Sequence, residues 1–497
     1  MTERGKVLAN TGFSSVGLYT EYLFGLIASI MVARALGPED LGIYSLLVWI
    51  VSMAVIVANA GITTAAIKFI AELHGSGKTM LIPALVARLR RLQRIMLSVV
   101  VLAVAVTLVL AHDRLAPGVV FWVLGLVVAS VLMRAPYMFN IALAKGAQDF
   151  RSTAIIAVVS ASANLAMIAV ALAWRASLPV FVIVFAVSGV VYFLVSQWRV
   201  RRILQDTNDA PVALPADLES RLGHHLRIVA ISIVLGSIGS SEIELLFLNI
   251  LATPSDAGMF KVANALAMGA ALLASGVLGA QLLPMMASAY GRGPEQAASR
   301  IAATTAWLFV LGAPLVALGA IFSVPLIKFL YGSAFAPAAG ALSILLVARV
   351  ASTLGQGASA YLVSADRQTA LMQLTLLFTA LRLAGVYIGT LYFGLMGAVV
   401  SSAVFAVLGT VSTVWLALRD TSAKLPWSRL LRIAAAAALA ALCSMPATWL
   451  HPPLLVLAVG GIVFALVYLS ALWLMGCLED ADAEYVRRLV KRIAGKS

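Results

Sequence analysis

Charge is what this chain has least of. Only 11% of its 497 residues are Asp, Glu, Lys or Arg, while 62% are hydrophobic. That leaves too little polar surface to coat a water-soluble body of this size. Cysteine is almost missing: Cys443 lies inside an apolar run and Cys477 just after another. Two such thiols make neither a disulfide framework nor a metal site, and no metal or cofactor is expected. Acidic residues are also scarce, 21 against 35 Lys and Arg, for a formal net charge of +14.

What is present in their place is apolar length. Fourteen runs are each long enough to cross ~30 Å of hydrocarbon: roughly 13–34, 41–70, 92–111, 118–144, 152–174, 178–198, 226–250, 257–288, 301–323, 338–363, 368–391, 395–418, 430–450 and 453–476. The pattern predicts an all-α polytopic membrane protein of about 14 transmembrane helices. The opening Met1-Thr2-Glu3-Arg4-Gly5-Lys6 mimics a signal n-region, but the run after it is too long and lacks a small-residue cleavage site, so an uncleaved first span is expected. With the N-terminus inside, the cytoplasmic connections collect nearly all of the basic residues outside the spans; the other face keeps Arg34, Arg114, Arg175 and Lys328. This asymmetry orients the chain with both termini cytoplasmic, and it accounts for the net charge without nucleic acid as a partner. No connection on the outer face is long enough for a folded domain or a platform of catalytic carboxylates, so an enzyme is not expected.

The stretch from Ser14 to Glu72 recurs. Pro38, Asp40, Gly42 and Tyr44 are answered by Pro254, Asp256, Gly258 and Phe260 at an offset of 216 residues, and Ser275-Gly276 stands in for the break at Asn59-Ala60-Gly61. The same offset relates Arg151-Ser152-Thr153 to Arg367-Gln368-Thr369, which predicts an internal duplication without a net gap. Six spans per copy make the repeat parallel, about an axis along the membrane normal. The expected divisions are an N-terminal six-helix lobe (1–200), a polar cytoplasmic inter-lobe linker (201–225), a C-terminal six-helix lobe (226–418), an appended helix hairpin (430–476) and an amphipathic tail (479–497) resting on lipid headgroups, or else solvated.

Charges inside spans cost roughly 2.5–3.5 kcal/mol each on insertion scales, so each needs a reason. Glu21 lies on a face of small or polar residues with Ser14, Gly17, Gly25 and Ala28. Such a face lines water, with Glu21 a protonatable coupling site for proton or sodium, or packs on a neighbour that holds the carboxyl neutral. Glu244 continues the polar face of Ser237 and Ser240, unlike Glu242, and is the second coupling candidate; Lys261 on the next helix would pair with it as a gate or as a structural salt bridge. Arg134 (with Ser130 and Tyr137 on its face), Arg349 (with Ser352, Thr353 and Gln356) and Arg382 (with Thr375, Thr379, Gly385 and Gly389) lie deep in spans four, ten and eleven. Only three acidic residues at similar depth could offset them, which predicts a cationic cavity suited to an anionic cargo. Lys68 is near a span end and can snorkel.

Three motifs are set aside. Gly75-Ser76-Gly77-Lys78-Thr79 resembles the end of a phosphate-binding loop but has Glu at position 72 and no strand before it. His224-His225 sits in the polar linker without a ligand cluster and is expected to be solvated. Gly385 and Gly389 have a helix-packing spacing that serves within one copy as well as between two.

Ala33-Arg34-Ala35-Leu36-Gly37-Pro38-Glu39-Asp40-Leu41-Gly42-Ile43-Tyr44, followed by Asn59-Ala60-Gly61 and Ile67-Lys68-Phe69-Ile70-Ala71-Glu72, closely resembles the start of the Wzx-type polysaccharide-transport flippases of the multidrug/oligosaccharidyl-lipid/polysaccharide exporter superfamily. Gly146-Ala147-Gln148-Asp149-Phe150-Arg151 looks like their turn before span five and Ser364-Ala365-Asp366-Arg367 like its echo. The likeness runs from about residue 10 to 420. It implies two six-helix lobes facing each other in a V, alternately open to either side. The cargo implied is an oligosaccharide on undecaprenyl pyrophosphate, moved across the bacterial inner membrane for exopolysaccharide, O-antigen or capsule assembly alongside a polymerase and co-polymerase. The alternatives are a peptidoglycan lipid II flippase and a small-molecule or drug exporter of the same fold.

Overall fold

The computed structural model describes residues 3–111, 120–205, 214–240 and 242–477. Their regular structure is helical throughout, as a hydrocarbon solvent demands: only a helix or a closed barrel satisfies every backbone N–H and C=O there. In chain order the helices are α1 (Glu3–Ala58), α2 (Ile62–Gly75), α3 (Ile82–Leu110), α4 (Phe121–Gly146), α5 (Phe150–Ala173), α6 (Leu178–Gln205), α7 (Ala216–Ser240), α8 (Glu244–Leu251), α9 (Pro254–Tyr290), α10 (Pro294–Tyr331), α11 (Ala338–Leu354), α12 (Gln356–Ser364), α13 (Gln368–Leu418), α14 (Trp427–Ser444) and α15 (Pro453–Leu474).

Ten helical stretches are long and apolar enough to span a membrane, among the described residues. The expected fourteen is not reached by that measure, for two physical reasons. Two of the ten cover a pair of expected spans each: α1 changes direction at Gly37 (φ 73°) and α13 at Gly394 (φ 54°), both left-handed conformations that glycine enters at little cost. Also, α7 and α9 coincide with expected spans without being among the ten. The limbs of α13 form a close-packed antiparallel pair, because an added Cβ at Gly389 would stand 2.5 Å from the Gly397 carbonyl oxygen and one at Gly385 2.3 Å from the Phe405 ring. The Gly385/Gly389 spacing therefore works within one copy.

The chain divides into two compact units, Met1–Gly258 and Met259–Ser497. The first has one core of Leu46, Val51, Val127, Val131 and Val182 where α1, α3, α4 and α6 meet, and a second of Phe69, Leu85, Phe139, Leu143 and Leu222 that joins α2, α3, α4 and α7. The segment expected as a linker is largely helix: α6 runs on to Gln205 and α7 starts at Ala216, residues 206–213 lying outside the described ones. Leu218 and Leu222 are buried against α2 and α3, and Arg221 and Glu219 form ion pairs with Glu72 (2.8 Å) and Arg88 (3.3 Å). The spacing of Leu214, Leu218 and Leu222 is a docking stripe that the acidic and proline residues around it obscured. His225 is likewise not simply solvated: its ring is half-buried, edge-on to Phe69 at 5.6 Å, with Nε2 3.4 Å from Thr64 Oγ1. Desolvation and the nearby Lys68 hold its pKa below the usual histidine value.

In the second unit, Met286, Ile301, Tyr361 and Leu362 form one core. The hairpin of α14 and α15 packs on α10 through Ile433, Phe464 and Tyr468, whose hydroxyl donates to the Val310 carbonyl (2.7 Å). The expected amphipathic tail, 479–497, lies outside the described residues.

The repeat is visible but not gap-free. Gln148 (φ 58°) and Asp366 (φ 56°) occupy the same left-handed turn position before α5 and α13, a separation of 218 residues where the motif alignment gave 216. The break at Gly61 (φ 75°) between α1 and α2 has no counterpart, since α9 continues through Ser275-Gly276.

Candidate functional site

In the first unit α1, α4 and α6 bring Arg134, Glu21 and a group of tyrosines together. Arg134 reaches from α4 to α6, where one terminal nitrogen donates to Ser188 Oγ (2.7 Å) and to the Phe185 carbonyl (3.1 Å). The guanidinium lies 3.8 Å from the Phe185 ring centroid and 4.9 Å from that of Tyr192. Its Nε is buried without a hydrogen-bond partner. Tyr137 packs on Tyr192 at 5.0 Å and Tyr44 edge-on to Phe185 at 6.4 Å. Glu21 is exposed on α1, within electrostatic reach of both Tyr137 and Tyr192.

Magnitudes show why a charge persists here. Insertion of an arginine costs roughly 2.5–3.5 kcal/mol. Two hydrogen bonds from a charged donor contribute about 1.5–3 kcal/mol each, and each aromatic face adds ~0.5–2 kcal/mol. Neutral groups thus stabilise the cation, and among the described residues no carboxylate forms an ion pair with it.

Along the α1 face that carries Glu21, Gly17 packs on Ala154 and Ala157 of α5, whereas Gly25 has open space where a side chain would be. One face therefore serves both readings, helix packing at one end and an opening at the other.

In the second unit Arg349 donates to Asn264 Oδ1 of α9 (2.7 Å), a side chain with no exposed surface. Thr353 turns its hydroxyl back to the Arg349 carbonyl (2.9 Å). Arg382 is elsewhere in the same unit, on the wall of a cavity of about 550 Å³ between α11, α12 and the two limbs of α13, with Ser352, Gln356, Thr375 and Thr379. Arg349 is not part of that wall. Glu244 is the first residue of α8 and is buried, at 3% exposure; Lys261 is half-buried on α9 in the other unit.

Sequence reasoning missed Ser188, Tyr192 and Phe185. Ser188 and Tyr192 are polar groups one turn apart in the apolar run of α6, a signal of a shared polar face. It also missed Asn59 and Gln93 as a buried polar pair. Gln93 donates to Asn59 Oδ1 (2.8 Å) and to the Ala135 carbonyl (3.0 Å), next in the chain to Arg134.

A family model described as "Polysaccharide biosynthesis protein" matches residues 7–290. The chain belongs to this family of polysaccharide biosynthesis proteins. Among solved structures it is similar to the lipid II flippase MurJ in its inward closed conformation, at TM-score 0.70 and 11% identity over 92% of this chain and 97% of that one. It is also similar to a multidrug resistance MATE transporter of the MOP superfamily, inward-facing, at TM-score 0.62 and 18% identity over 82% and 100%. A Vibrio cholerae MATE transporter matches at TM-score 0.51 and 16% identity over 84% and 96%. At these identities the likeness is one of fold: the chain has the multi-pass, all-helical membrane fold of those structures. Curated proteins give no sequence match.

Proposed function

We propose that this protein is a flippase that carries an undecaprenyl-pyrophosphate-linked oligosaccharide from the cytoplasmic to the periplasmic leaflet of the bacterial inner membrane by alternating access. It would supply exopolysaccharide, O-antigen or capsule assembly and work beside a polymerase and co-polymerase, with both termini cytoplasmic. The observation that carries the reading is Arg134, a cation held by a hydroxyl, a carbonyl and two aromatic rings. A diphosphate moved through hydrocarbon would face a desolvation cost of order 20 kcal/mol per charge in the idealised limit, and a preformed guanidinium site replaces the lost hydration. In the proposed scheme Arg134, Arg349 and Arg382 are the cationic residues that meet the cargo while the lipid tail stays in the bilayer. Outward movement of the anion gains ~2.3 kcal/mol per charge per 100 mV of inside-negative potential.

Glu21 is the proposed coupling group. Its protonation removes a negative charge near the tyrosines that surround Arg134, which strengthens anion binding; deprotonation favours release. Glu244 is a second candidate for the same role, and with Lys261 a candidate gate pair.

The test is leaflet transfer of a fluorescent oligosaccharide-pyrophosphate polyprenyl lipid in liposomes containing the purified chain. Arg134→Ala should reduce transfer at least tenfold while Lys68→Ala leaves it intact. Equal transfer by both variants would remove Arg134 from the cargo path. Transfer of lipid II, or of an organic cation in its place, would move the chain to one of the two alternative substrate classes.

A further inference from the structure

The cavity around Arg382 has a chemistry different from that of a phosphate site. Four of its wall hydroxyls give their single proton to their own helices. Ser352 donates to the Ala348 carbonyl (2.9 Å), Ser359 to that of Gly355 (3.1 Å), Thr375 to that of Leu371 (2.8 Å) and Thr413 to that of Gly409 (2.8 Å). A hydroxyl with its proton committed in this way offers a ligand only its lone pairs. Gln356 adds a buried amide oxygen that accepts no hydrogen bond from the protein. These acceptors stand beside donors, the Arg382 guanidinium, the Gln356 amide N–H groups and the Thr379 and Thr410 hydroxyls, so the polar wall offers both.

An ionised diphosphate brings acceptors alone and would use the wall's donors while leaving the four committed hydroxyls and the Gln356 oxygen unmatched. A pyranose brings several hydroxyl donors for them, and its oxygens can accept from the Arg382 guanidinium. Phe378 and Phe405 give the wall flat apolar faces on which the C–H side of a sugar ring can lie; the missing side chain of Gly385 makes room for the Phe405 ring. The volume of about 550 Å³ falls within the ~300–1,000 Å³ of ordinary small-molecule sites.

We infer that this cavity is a saccharide subsite that holds the glycan part of the cargo. The inference rests on the flippase reading above and gives the sugar a place within the second unit. The assignment of Arg382 thereby moves from phosphate to glycan.

Binding to the full chain in lipid nanodiscs tests the inference with two probes, a bare polyprenyl pyrophosphate and the same lipid bearing a tetrasaccharide of neutral hexoses. Wild type should hold the glycosylated lipid more tightly. Gln356→Leu combined with Ser352→Ala removes two acceptors, and should weaken the glycosylated probe about tenfold with the bare lipid unchanged; that retained binding reports an intact fold. Thr375→Val, a shape-conserving change on an exposed part of the wall, should give a smaller loss of the same kind. Equal losses on both probes, or none on either, overturn the saccharide assignment while leaving the flippase reading in place. Wild type that binds neither probe overturns both.

Discussion

Gly42 and Gly258 are packed reciprocally on each other's turns. A Cβ built on Gly42 would stand 1.8 Å from the Pro254 carbonyl oxygen, and one on Gly258 would stand 1.9 Å from that of Pro38. These are the residues that the repeat relates, Pro38 to Pro254 and Gly42 to Gly258, so the two turns that open the copies pack on one another within the first unit. Thr253 supports the second turn, accepting from the Asp256 N–H (3.1 Å) at the start of α9.

Because a side chain at either glycine must push two backbones apart, Gly42→Ala and Gly258→Ala should each destabilise the protein by about 1–3 kcal/mol, the range of overpacking in a filled site. The double variant should cost clearly less than the sum, since the shift that relieves one clash relieves the other. Thermal unfolding of the detergent-solubilised protein by intrinsic fluorescence measures all three. Strict additivity would mean that the two contacts are independent.

Arg134→Lys should fail where charge alone would suffice. Lysine cannot lie flat between Phe185 and Tyr192 while also reaching Ser188 and the Phe185 carbonyl. We expect flipping to fall about tenfold or more with the unfolding temperature little changed, and Ser188→Ala to cost a few-fold, as loss of one hydrogen bond to a charged group does. Wild-type flipping by Arg134→Lys would reduce the site to a point charge.

Arg134 was legible in the sequence because a charge in an apolar run is expensive, and that cost is local. Its cage was not, because Ser188 and Tyr192 lie more than 50 residues away on α6 and only packing brings them near. The helical class followed from hydropathy and the duplication from Pro-x-Asp-x-Gly turns, but the two-residue drift before α13 did not, since Arg367-Gln368-Thr369 imitates Arg151-Ser152-Thr153 at the wrong register. The α7 stripe was hidden for a related reason: Asp217, Glu219 and Pro215 made an amphipathic helix read as a linker.

The pair Arg367–Asp420, at the two ends of α13, should show a pH dependence of known sign. The hydrogen bond from Arg367 holds the Asp420 carboxyl below its ordinary value of 3.8. A carboxylate whose pKa is depressed by folding contributes above the unfolded value and loses that contribution as the pH falls through the folded one. Both side chains are exposed, so the effect is small. Asp420→Asn should therefore unfold slightly below wild type at neutral pH, and the gap should close at acid pH below the usual carboxylate range. A gap that stays constant across that range would show that the ion pair contributes nothing.

Gln93 and Asn59 join three helices beside Arg134. Asn59 Nδ2 donates to the Val55 carbonyl (2.9 Å) and to that of Ala135 (3.2 Å), and Gln93 adds its own bond to the same Ala135 oxygen. Both side chains are buried, at 2% and 4% exposure. Gln93→Leu strands the Asn59 amide oxygen, which costs about 1–3 kcal/mol when a buried acceptor is left unmade. Replacing both residues by apolar ones removes the stranded group with its partner, so Asn59→Leu/Gln93→Leu should be less damaging than the single changes predict. Coupling between polar side chains within membranes averages ~0.6 kcal/mol and reaches ~1.7; three bonds converging here place this pair toward the upper end. Flipping should fall in Gln93→Leu along with stability, because Ala135 precedes Pro136 and a shift there moves Arg134. A variant that loses stability but flips at the wild-type rate would show that the network supports the fold alone and leaves the arginine where it was.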